Sequence, residues 1–200
     1  MNIRASWIVG LAASAAIIWT VPAWSTDPSI SVVPSSSSVS LATSFAVDVL
    51  ISGASDLYGF QFDLTFNPNV LQASSVTEGS FLSGGGSTFF VPGTIDNAGG
   101  NIFATADTLL SPVPGVNGSG TLAIFDFISV GSGNSPLDLA NVIALDSTLD
   151  TITVSTSGAS VSVPAVAVPE PGGALILGLG VAAILISRRR KYRSAGNLDV

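Results

Sequence analysis

An all-β domain made of two packed antiparallel sheets is what this sequence predicts, and three observations carry the expectation. Residues 57–66 alternate without a break: Tyr58, Phe60, Phe62, Leu64 and Phe66 fall on one side, with Gly59, Gln61, Asp63 and Thr65 on the other. Side chains on an extended chain point to opposite faces in turn, so this pattern describes a half-buried strand with an aromatic inner face. Further runs of the same kind recur at short intervals, separated by Gly, Pro, Asn and Ser, the spacing of a sandwich. Finally, no segment between residues 26 and 164 has a helical period.

Taken in order, 29–33 is a short first strand. A run of four serines at 35–38 then reads as a loop. Phe45, Val47, Val49 and Ile51 alternate with Ala46, Asp48 and Leu50 in a second strand, and 57–66 is the third. Asn67-Pro68-Asn69 ends it in a turn, because proline fixes its own φ and asparagine can bond its own backbone two residues on. Shorter strands are expected at 70–76, 87–91, 101–106, 137–142, 151–154 and 159–163. The stretch 121–129 presents Ala123, Phe125 and Phe127 on one face. The phenylalanines are assigned mainly to the core. Asn117-Gly118-Ser119 matches a glycosylation sequon and is read here as a turn.

Composition excludes much chemistry. The chain has 200 residues with no His and no Cys. Ser-His-Asp and Cys-His sites are therefore ruled out, and the absence of Lys between 26 and 164 removes a lysine-assisted nucleophile. Only a pair of carboxylates of the glycosidase type remains open, and scattered surface aspartates explain the acid content without it, so no enzyme is expected. The central region carries ten Asp and one Glu with no Lys or Arg, a net charge of about −11. Such a domain repels nucleic acid and acidic polysaccharide. All three Trp (Trp7, Trp19 and Trp24) lie in the first 25 residues, which leaves few rings to stack on a sugar. No cofactor is expected. Residues 96–101 and 146–150 offer oxygen ligands in turns that could hold calcium weakly, although neither has the spacing of an EF-hand loop and both have ordinary turn composition.

The two ends speak to location. Residues 1–25 begin with a short basic region, continue with a mostly apolar run and finish at Ala23-Trp24-Ser25, the pattern of a secretory signal cut between Ser25 and Thr26; a retained transmembrane helix is the alternative. Near the other end, Pro169-Glu170-Pro171 precedes an uncharged apolar run at 172–186 and then Arg188, Arg189, Arg190 and Lys191. As a helix that run would span roughly 22 Å, short of the ~30 Å hydrocarbon core. A permanent anchor, a transient sorting signal and a buried core helix compete, and four consecutive bases argue against the last. This three-part tail resembles the PEP-CTERM sorting domain. The resemblance implies a Gram-negative-type bacterium that makes exopolysaccharide, and an exosortase-type membrane enzyme that reads Pro169, Glu170 and Pro171 and removes the tail.

Residues 57–71, with Val76-Thr77-Glu78-Gly79-Ser80-Phe81-Leu82, Gly120-Thr121-Leu122-Ala123-Ile124-Phe125-Asp126-Phe127 and Ser135-Pro136-Leu137-Asp138-Leu139, resemble the cohesin domain. The similarity runs from about residue 30 to 163. It implies a jelly-roll sandwich related to carbohydrate-binding modules, and a dockerin domain on a partner. Asn67 stands where the family usually has Asp, and Asn can make the same local turn. The expected organisation is therefore a signal peptide (1–25), a cohesin-like domain (26–164), a linker with the Pro-Glu-Pro motif (165–171), a sorting segment with its basic tail (172–191) and a cytoplasmic tail (192–200). The expected function is a non-enzymatic binding module at the envelope or in the extracellular matrix, for protein adhesion or matrix assembly. A carbohydrate-binding module acting on extracellular polysaccharide is the alternative. Membrane insertion is expected to be transient, before processing.

Overall fold

A computed structural model describes residues 27–110 and 112–165. The elements are β1 (Ser29–Pro34), β2 (Ser44–Thr65), β3 (Leu71–Glu78), α1 (Ser80–Ser83), β4 (Thr94–Asp96), β5 (Asn101–Thr108), β6 (Val116–Ser129), β7 (Gly133–Asp146), β8 (Ser155–Ser157) and β9 (Ala159–Val163). The second and third strands expected from the sequence are one strand, β2, 22 residues long. Its first part pairs antiparallel with β1 on one side and β6 on the other. Its last part pairs with β5 and β7. One sheet therefore runs β3-β6-β2-β1-β8 and the other β4-β5-β2-β7-β9, with β2 central in both.

The change of sheet happens at Ser52–Asp56, where the register against β6 slips between Ile51, Ala54 and Leu57. Gly53 has φ +70° and Asp56 φ +58°, conformations that bend the strand. Side chains satisfy the backbone that the bend releases. Ser119 Oγ accepts from Gly53 N–H (3.1 Å), and Asn117 Oδ1 accepts from Asp56 N–H (2.9 Å). The Asp56 carboxylate accepts from Gly115 N–H (2.7 Å) and from Ser147 Oγ (2.6 Å). Asn117-Gly118-Ser119, expected as a turn, is thus the irregular start of β6, with Gly118 at φ +111°.

Between the sheets lies the core. Phe62, Phe125, Phe127, Ile30, Ile51, Leu57 and Leu64 are fully buried. Phe62 stacks on Phe60 (5.6 Å) and meets Phe125 of the opposite sheet at 6.1 Å, and Phe66 packs edge-on against Phe127 at 5.2 Å. Such ring pairs add to the area they bury. The turn after β2 forms as expected: Asn67 Oδ1 accepts from Asn69 N–H and Asn67 O from the N–H groups of Val70 and Leu71. At the free edge of β3, the Asn97 side chain acts as a neighbouring strand, giving Nδ2 to Ala73 O (3.0 Å) and accepting Ala73 N–H (2.8 Å). That removes one pairing site from an exposed edge.

Several expectations need correction. The alternation of β2 slips by one at its start, so Leu57 is in the core while Tyr58 is only partly buried; the register against β7 shifts at this point. Phe89 and Phe103 lie outside the core. Segment 87–91 is not a regular strand, although it follows β5 antiparallel through Phe89 N–H to Thr108 O and Val91 N–H to Ala106 O. Residues 151–152 fold back on β7, with Ile152 N–H bonded to Ala144 O, and the strand expected at 151–154 begins only at Ser155. There β8 pairs parallel with β1, a departure from a purely antiparallel sandwich. The single helical turn α1 and the three-residue strand β4 have no counterpart among the elements the sequence predicts. A four-residue turn is too short to show a period, and it fills the gap with Phe81 and Leu82.

Candidate protein-binding face

The outer face of the second sheet is where apolar side chains meet solvent. Adjacent residues of an extended chain point opposite ways, so only one of Phe89 and Phe90 can face the space between the sheets. Phe90 packs on the core and Phe89 is left 61% exposed, with Val91 beside it. Across the sheet, Val142 packs inward and its neighbour Ile143 points out, 42% exposed. Between these two rows runs a shallow groove of about 270 Å³ lined by Gly59, Gln61, Phe89, Val91, Ala106, Thr108, Ile143 and Leu145. Gly59 keeps it open. A Cβ there would stand 3.2 Å from Asp107 O and 3.3 Å from Thr108 Oγ1, tighter than ordinary contact. The groove offers shape and apolar surface in a domain with no cation among the described residues.

Farther along the same face, Asp63 is buried although the strand pattern places it outward. It lies between two bulges, one in β5 at Ala104 (φ +54°) and one in β7 at Asn141 (φ +50°). Its carboxylate accepts from Ala104 N–H (2.7 Å) and from Asn141 Nδ2 (2.6 Å), so the central strand holds both neighbours in their bulged form. On the inner side of β5, Asp107 is also buried. Burial first, and then the charge of Glu78, push its carboxyl up to about 7.

The two acidic turns are engaged internally. Asp96 Oδ1 accepts from Ala98 and Gly99 N–H, while Asp146 Oδ1 accepts from Thr148 N–H, Thr148 Oγ1 and Asp150 N–H. The Thr148 hydroxyl holds the Asp146 carboxyl below the usual carboxylate range, as Ser147 does for Asp56. Among the described residues no group of three acids converges on a metal position. Ser25, Thr26, Pro169, Glu170, Pro171, Arg188, Arg189 and Arg190 all lie outside the described residues. No helix among the described residues is long and apolar enough to cross a membrane.

A β-sandwich whose two sheets share a strand presents, on one outer face, an apolar groove able to take a ligand or partner. The chain belongs to the cohesin domain family, whose model matches residues 30–163. Solved structures agree on the fold. A non-cellulosomal cohesin from the hyperthermophilic archaeon Archaeoglobus fulgidus is 18% identical with a TM-score of 0.56, covering 70% of this chain and 93% of that one. The second type II cohesin module of the adaptor scaffoldin from Acetivibrio cellulolyticus is 14% identical with a TM-score of 0.59, covering 74% and 97%. The sixth cohesin of scaffoldin B from the same organism, solved in complex with a dockerin, is 17% identical with a TM-score of 0.55, covering 69% and 99%. No curated protein sequence matches the chain.

Proposed function

We propose that this protein is an exported adhesion or matrix-assembly module that holds a dockerin-like protein partner in the groove between Phe89 and Ile143. The groove is the observation that carries this reading: it is apolar, exposed and set on a rigid sheet. The likeness to a cohesin solved with a dockerin supports a protein as occupant. A partner helix or loop would place aliphatic side chains over Gly59 and bases around the rim, because the domain supplies only negative charge and complementary charge speeds encounter. Export by residues 1–25 and sorting through Pro169-Glu170-Pro171 by an exosortase-type enzyme complete the proposal. The tail is held transiently in the membrane of a Gram-negative-type envelope and then removed.

Phe89→Asp tests the face. Its side chain is exposed, so the unfolding midpoint should barely move, by about 0.5 kcal/mol or less in stability. Capture of the partner from host envelope extract should weaken by about 30-fold or more, the loss of one central anchor of about 2 kcal/mol. Unchanged capture would exclude the groove. Extracellular glycan bound through Phe89 and Phe103, with no protein captured, would instead support the carbohydrate-binding reading, since both rings are exposed. Sorting is tested separately. Mass spectrometry of the protein from its native host should find a chain ending before Arg188, and Glu170→Ala should slow that processing. A mature chain that keeps Arg188–Lys191 would make the tail a plain anchor.

A further inference from the structure

We propose that Asp107 carries a proton that it donates to Glu78 across the two sheets, and that this bond latches segment 87–91, with the Phe89 wall of the groove, against β5. Asp107 is 2% exposed and points inward from β5. Its Oδ1 accepts from Thr108 N–H at 2.9 Å, while Oδ2 is buried with no hydrogen-bond partner. The group facing it is another carboxylate, Glu78 at the end of β3 in the opposite sheet. Two carboxylates have no donor between them, and a buried unpaired oxygen is costly. One proton on Oδ2 resolves this, because Asp107 O–H then donates to Glu78.

The other oxygen of Glu78, Oε1, accepts from Thr88 Oγ1 at 2.6 Å. Thr88 is the inward neighbour of Phe89, so the chain of bonds runs from Asp107 through Glu78 to the segment that carries the groove wall. The rest of that segment is held by backbone bonds to β5 at Phe89 and Val91, and by Leu110 N–H, just past the end of β5, donating to Ser87 O. Phe60, opposite Asp107 in β2, brings no charge, and Glu78 is the one charged group acting on Asp107. No cation among the described residues could replace the proton.

The direction of the pH effect follows. Closed, Asp107 keeps its proton up to about 7; with the segment open and the pair hydrated it would titrate near the ordinary value of about 3.9. A folded-state carboxyl raised in this way favours the closed form fully at low pH. That advantage is lost as pH rises from about 4 to about 7, and it is level above. Partner capture, if the reading above holds, would weaken over the same window, but the latch is tested without a partner.

The test is hydrogen exchange followed by mass spectrometry on the full chain across about pH 5–8, corrected for intrinsic base catalysis. Protection of the peptide spanning 87–91 should fall by up to tenfold per pH unit between about 5 and 7 and then flatten, while core amides of β6 hold steady. Asp107→Asn supplies a permanent N–H donor to Glu78 and should remove the slope. Glu78→Gln, which removes the neighbouring charge and donates to Asp107 but leaves it buried, should shrink the slope. A slope that persists in both variants, or its absence in the wild-type chain, would overturn the latch. So would protection at pH 8 that a chelator removes, which would assign the carboxylates to a divalent cation.

Discussion

Phe62→Ala should lower the unfolding midpoint by about 10–20 °C. The ring is fully buried near the end of β2, stacked on Phe60 and set against Phe125 of the facing sheet. Its removal loses the transfer energy of a phenyl group and leaves a cavity that two stiff sheets cannot close, a cost of about 3–5 kcal/mol. Total stability for a domain of this kind is about 5–15 kcal/mol, and one kcal/mol moves the midpoint by a few degrees. Thermal melts followed by circular dichroism measure it. A variant that melts with the wild type would mean the ring is not in the core.

The second large effect is expected from a charge. Asp63→Ala should cost about 3 kcal/mol in denaturant unfolding, because Ala104 N–H and the Asn141 amide both lose the acceptor that buried Asp63 gives them in a partly buried place. Asp63→Asn should cost about half as much. It keeps an acceptor for Ala104 but turns an N–H₂ toward the N–H₂ of Asn141. Equal midpoints for wild type and Asp63→Ala would show that the bulges stand without it. A large loss in both variants would mean that the charge itself, rather than the acceptor geometry, holds them.

Asp63 also shows where the sequence stops being informative. Alternation over 57–66 correctly places Phe60, Phe62, Leu64 and Phe66 inward, because a strand packed on one face must repeat every two residues. The same rule sends Asp63 to solvent. It is buried because β5 and β7 each bulge beside it, and neither Ala104 nor Asn141 advertises a positive φ. The stretch Ser52-Gly53-Ala54-Ser55-Asp56 reads as a break between two strands. It is a bend within one, held by Ser119, Asn117 and Gly115, partners 59 to 66 residues away that a local pattern cannot contain. The groove was more accessible. Phe89-Phe90 and Val142-Ile143 are adjacent apolar pairs in extended segments, and each pair turns one member to the outer face of its sheet. What local spacing could not supply was that β2 and β5 bring the two outward members to opposite sides of Gly59.

The bend at Ser52–Asp56 also bears on how the domain resists proteolysis. Because the middle strand of each sheet is the same strand, neither sheet can separate or fray to its centre without removing the middle of the other. Loss of structure is therefore concerted, and half-open forms that would give a protease an extended segment to grip stay scarce. A chain with no cysteine has no disulfide brace against digestion. Threading one strand through both layers does that work by cooperativity instead.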